Sequence, residues 1–106
     1  MEKKYKIVVY VPEENAEKLR EVMASAGAGK IGNYSNCTFT IKGIGRSKPE
    51  EGANPAIGEI GRIQEIHEDR IETVCSADNL QAVLKAIRDN HPYEEPATDV
   101  YPIELF

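Results

Sequence analysis

Residues 27–34, Gly27-Ala28-Gly29-Lys30-Ile31-Gly32-Asn33-Tyr34, carry the spacing G-x-G-x-x-G, and what flanks them decides the fold. A dinucleotide turn needs a strand before the glycines and a helix after them, because the helix N-terminus then aims free N–H groups and the positive end of its dipole at a phosphate. Here the order is reversed. Upstream, Ala16, Leu19, Val22, Met23 and Ala26 recur at the three-and-four spacing of a helix, with Glu13 and Glu14 placed for its N-terminal dipole. Downstream, Cys37-Thr38-Phe39-Thr40-Ile41-Lys42 alternates apolar with polar, the pattern of a strand with one wet face. The glycines therefore read as a helix stop at Gly27 and a tight turn in which Gly29 and Gly32 bring Ile31 back over the core.

Working outward, Tyr5 to Val11 is a β-rich run that buries Ile7, Val9 and Val11 on one face and puts Val8 and Tyr10 on the other. Pro12 ends it. From Gly43 to Gly58 the chain is rich in glycine and proline with no sustained period, which predicts a long loop. Ile60 to Ile66 and Arg70 to Cys75 read as two short strands or one interrupted strand, with Glu68-Asp69 as the break. Ser76 and Asp78 are candidate caps for a second helix whose stripe is Leu80, Val83, Leu84 and Ile87 and which ends before Pro92. Thr98 to Ile103 predicts a last strand, with Pro102 confining it to an edge or to the strand's end.

Strand, helix, strand, strand, helix, strand is the order of the ferredoxin-like split βαβ (βαββαβ). That is an α+β sandwich in which a four-stranded antiparallel sheet carries both helices on one face, here as one domain over residues 1–106. The uncovered face, with Val8 and Tyr10, is too apolar to leave wet, so another subunit or an extra strand is expected to cover it, and a homo-oligomer is the expectation.

Composition excludes several classes. With 41% hydrophobic and 29% charged residues the chain is neither disordered nor membrane-like, and no apolar run approaches the ~20 residues of a bilayer span. No secretory stretch follows Met1, so the expected location is cytoplasmic. A net charge of −5 with scattered Lys and Arg argues against nucleic acid. Cys37 and Cys75 read as reduced, buried small hydrophobes rather than a disulfide framework.

Two polar regions stand out as candidate sites. In Asn90-His91-Pro92-Tyr93-Glu94-Glu95, His91 is a candidate ligand or base, Tyr93 a donor, and Glu94 or Glu95 a carboxylate. Extended backbone points the two glutamates to opposite sides, and the plainer reading has His91 bonded locally while Pro92 and Tyr93 pack the turn. In the 43–58 loop, Arg46 and Lys48 can clamp an anion, with Asn54 beside them, or the loop can pack on a neighbouring subunit through Pro55 and Ile57. His67 shares a face with Glu65 and reads as solvated surface. No G-x-S-x-G, P-loop or Cys–His pair is present, so no catalytic residue is assigned.

Three blocks in order, AGAGKIGNYSNCTF, EGANPAIGEIGRIQE and HPYEEPATDVYPIE, resemble the PII/CutA-like domain inserted in YqfO-type members of the NIF-three-like (NGG-one-interacting-factor-three) family, here as a free-standing chain. The resemblance implies the same ferredoxin-like fold and, as in PII and CutA proteins, a trimer with sheets paired edge to edge. His91-Pro92-Tyr93-Glu94 also resembles a segment near the end of CutA, which implies Cu or Zn held by His91 and Glu94; Glu95 and Ala97 depart from that continuation. The longer relatives carry a two-metal site and the label GTP cyclohydrolase type-two homologue, but that site belongs to a host domain this sequence does not match. The resulting expectation is a non-enzymatic, trimeric, regulatory domain without cofactor. It binds a small ligand or protein partner at subunit junctions through Arg46, Lys48, Asn54, His91, Tyr93 and Glu94, without nucleic acid or membrane. The alternatives are a divalent-metal (Cu or Zn) tolerance protein and a nucleotide hydrolase.

Overall fold

A computed structural model describes residues 3–104. Strand β1 (Lys4–Pro12) leads through a 3-10 turn (Glu13–Asn15) into helix α1 (Ala16–Ser25); then follow β2 (Thr38–Ser47), β3 (Gln64–Ser76), α2 (Ala77–Asn90) and β4 (Thr98–Ile103). The sheet is antiparallel throughout in the order β2-β3-β1-β4. This is the split βαβ arrangement that the element order predicts, and β4, with its Pro102, is an edge strand.

The core lies between the helices and one sheet face. Ile7, Val9 and Val11 of β1 and Ile71 of β3 meet Leu19 and Met23 of α1 and Val83 and Ile87 of α2, each no more than 1% exposed. Burying a side chain of that size contributes roughly 1.5–3 kcal/mol, so this cluster dominates the stability of the body.

The glycine turn is stitched to the sheet. The Gly29 N–H donates to Val74 O at 2.7 Å and the Cys37 N–H to Gly29 O at 2.9 Å. Gly29 has φ +82°, and a Cβ there would come within 2.9 Å of Cys37 backbone atoms, so only glycine fits. Gly27 ends the helix as expected, at φ +112°. Ile31 does not return over the core: it is 48% exposed, bridged to Tyr34, and Ala28 takes the buried place.

Four other expectations need correction. Strand β2 runs on through Gly43 and Gly45 to Ser47, because β3 pairs with it residue for residue, so the irregular segment is 48–63 and includes Ile60. Strand β3 is unbroken at Glu68-Asp69. The buried Asp69 carboxylate meets the Lys42 Nζ at 2.9 Å and the Arg20 Nη1 at 3.7 Å, which offsets its desolvation. Third, Val8 is only 1% exposed in the single chain. On its face Arg70 reaches the Tyr10 hydroxyl and Glu72, and Lys6 pairs with Glu72. The apolar residues left wet on that face are Phe39, Ile41 and Tyr101. Finally, Cys75 is buried, and burial pushes its thiol up, but Cys37 is only half-buried, with its thiol toward Ser35 O.

Beyond Pro12, which pairs with Glu68, β1 stops while β2 and β3 continue. Ile44–Ser47 and Gln64–His67 form a two-stranded arm at one end of a molecule 47 Å long. No helix among the described residues is long and apolar enough to cross a membrane.

Candidate functional site

The two sequence candidates meet at the arm. Helix α2 ends when His91 turns to extended backbone, its N–H donating to Ile87 O at 2.9 Å and the Asn90 side chain closing on Ala86 O. Strand β4 reaches only as far as Val9 of β1, so the Tyr10 carbonyl lies past its last partner on that side, and the His91 Nε2 lies 2.7 Å from that oxygen. The Tyr93 N–H donates to His91 Nδ1 at 3.1 Å. One nitrogen must carry the proton and the other must accept, so the neutral imidazole is the form that fits. Burial holds His91 below its ordinary value of 6.5, against smaller opposing effects of the Tyr10 carbonyl and Glu68.

From this pivot the turn folds across the arm. The Tyr93 hydroxyl donates to Glu68 Oε2 at 2.5 Å. Burial, and then the neighbouring Glu68 carboxylate, push the Tyr93 phenol well up, so it stays a donor. Glu68 can lie flat on β2 because residue 45 has no side chain; a Cβ at Gly45 would come 1.8 Å from Glu68 Oε1. Glu94 Oε1 accepts the Asn54 N–H at 3.0 Å, tying the 48–63 segment to the turn.

Two cavities flank Tyr93. One, of about 170 Å³, lies beneath the 48–63 segment, against Lys48, Pro55, Ile57, Gln64 and Glu94. The other, of about 290 Å³, opens on the sheet beside Tyr10, Arg46, Ile66 and Glu68.

Of the residues read from sequence, Lys48, Asn54, Tyr93 and Glu94 thus converge, and Arg46 borders the second cavity. Arg46 pairs with Glu65 at 3.6 Å and Lys48 with Glu50 at 3.6 Å, both exposed, and such pairs cost little to exchange for a ligand. His91 lies behind the cavities as a positioning group, with both ring nitrogens engaged. His67 is exposed. Among the described residues no group of three or more His, Cys, Asp or Glu side chains is disposed to hold a metal. Sequence reasoning missed Gln64, Glu68 and Tyr10, whose partners are distant in the chain. Gly45 was the one local signal, since an interior strand glycine marks a close approach.

No protein-family model matches the chain. It is 50% identical over 99 residues to the protein named GTP cyclohydrolase 1 type 2 homolog of Halalkalibacterium halodurans, and likewise to its Bacillus subtilis counterpart; these alignments cover 93% of this chain and 27% and 26% of those proteins. The chain thus spans about a quarter of the length of the curated relatives it matches. Among solved structures, a Bacillus cereus protein related to NIF3 superposes with TM-score 0.85 at 44% identity over 98% of this chain and 26% of that one. The CutA of Xylella fastidiosa, with TM-score 0.70 at 15% identity over 97% and 86% of the two chains, and the CutA1 of Oryza sativa, with 0.64 at 18% over 98% and 83%, share the fold.

Proposed function

This chain is a homologue, with a CutA-like fold, of one segment of the NIF3-related proteins named GTP cyclohydrolase 1 type 2 homolog, and from that premise we propose that it is a non-enzymatic, regulatory binding module. It takes a small ligand or a protein segment in the cleft between residues 48–63 and the His91–Glu95 turn, and it works in the cytoplasm as a homo-oligomer, a trimer by its resemblance to CutA. The observation that carries this reading is the Asn54–Glu94 hydrogen bond, 40 residues apart in sequence, which ties an irregular, exposed segment to the turn across a cavity. Phe39, Ile41 and Tyr101, exposed on the uncovered sheet face, support assembly.

A thermal-shift screen with nucleotides, divalent ions and common metabolites tests it, because a ligand that binds only the native state raises the melting temperature. A shift abolished by Lys48→Ala or Glu94→Ala is expected. Turnover of any nucleotide in the panel overturns the non-enzymatic reading, and a monomer by light scattering at micromolar concentration overturns the assembly.

A further inference from the structure

Building on that reading of the cleft, we propose that residues 49–61 form a strap that moves between a form latched across the cleft and a form lifted off the His91–Glu95 turn, with Glu94 as its latch and Gln64 as the group that pushes it open. The strap has a closed base. The Gly61 N–H donates to Pro49 O at 2.7 Å, with Gly61 at φ +83°, so the two ends of the segment meet and what lies between them can swing as a unit. Glu50 and Glu59 pair with Lys48 and Arg62 at that base. Among the described residues, the hydrogen bond from the Asn54 N–H to Glu94 Oε1 at 3.0 Å is the one that ties residues 50–60 to a distant part of the chain, and both partners are exposed.

Gln64 opposes the latch. Its Nε2 donates to Ser47 Oγ at 3.2 Å, which leaves the amide oxygen under Gly58 of the strap, where a Cβ would come 1.6 Å from it. Among the described residues, this Oε1 is the one buried side-chain oxygen or nitrogen without a hydrogen-bond partner. Ser47 can serve only one end of the amide, so turning the amide over would strand its nitrogen in the same place. Lifting Gly58 returns the stranded end to water. The two effects run in opposite directions and are of the same order: an exposed hydrogen bond trades against water and holds weakly, while a buried polar group left unpaired disfavours the form that buries it. A segment balanced in this way populates both forms, and Pro55 and Ile57, which it carries into the cavity wall, move with it.

Amide exchange resolved by NMR on the free, full chain tests this. Gln64→Met keeps the length of the side chain and removes the stranded end, so it should slow exchange at Asn54 about tenfold even though it deletes a hydrogen bond. Glu94→Ala should raise exchange at Asn54 to that of an unprotected amide, and Glu94→Gln, whose amide oxygen still accepts, should restore protection. Gly61 should exchange at the same rate throughout, because the base of the strap stays shut in both forms. Exchange at Asn54 that is unchanged or faster in Gln64→Met overturns the proposal, as does a loss of protection at Gly61 that matches the loss at Asn54 in Glu94→Ala. Glu94 lies in an exposed turn, so its variants report even if Gln64→Met does not fold. No ligand enters these measurements: a strap that does not move leaves the cleft standing as a binding site, and failure of the ligand screen leaves these rates unchanged.

Discussion

The body of the sheet and the arm are built from similar residues and held by different forces. In the body, Ile7 and Ile71 are fully buried; on the arm and the segment beside it, Ile44, Ile60 and Ile63 are 63%, 52% and 58% exposed. The arm keeps its β2–β3 ladder, and the turn and segment packed at its base are held by polar contacts that cross long stretches of sequence: His91 to Tyr10, Tyr93 to Glu68, Asn54 to Glu94. The body should therefore respond to changes of volume, and the arm to changes of hydrogen bonding and protonation.

The strongest way to break this contrast is to truncate one apolar residue in each region. Leu19→Ala is expected to cost about 2–5 kcal/mol, while Ile44→Ala should stay within about 0.5 kcal/mol, both read from urea denaturation. A large loss at Ile44 in an otherwise monomeric protein would show that the arm is held by more than its polar contacts.

Next in size is His91→Gln, which disturbs the bonds to Tyr10 and Tyr93 and should cost about 1–3 kcal/mol. Its pH dependence sharpens the comparison. Because burial lowers the His91 pKa, the unfolded chain takes up the proton first as pH falls through the ordinary value of 6.5. The stability advantage of the native protein over His91→Gln is thus fully present above that value and declines below it. A constant advantage across the range would refute a neutral, buried imidazole.

A smaller effect is expected at Gly45→Ala, which displaces the flexible end of Glu68 at a cost of about 1 kcal/mol, the worth of one hydrogen bond. Its clearer readout is spectrophotometric: the raised titration of Tyr93 should fall toward that of an ordinary phenol. Smallest of all, Arg46→Ala should change stability by less than about 0.5 kcal/mol, since its pair with Glu65 is exposed on both sides.

Legibility in the sequence follows the same division. Local patterns gave the element order, the two faces of β1, the stripe of α2 and the edge position of Pro102, because each rests on neighbours two to four residues apart. They failed at Gly43 and Gly45, where a low strand propensity was overridden by pairing with β3. At Asp69, the apparent break disappears only once Arg20 and Lys42 are known to reach it. Both halves of the cleft could be named from composition, as a long loop and a dense polar turn. That they close on each other through Asn54 and Glu94 depends on a contact no local pattern encodes.

The arm beyond Pro12 has one consequence for energetics. A ribbon of two strands is marginal by itself in water, so its amide protons should exchange ahead of those of the central strands. Anything that grips the tip must then meet the entropy of stiffening it, and its affinity and the slowing of exchange there would rise and fall together.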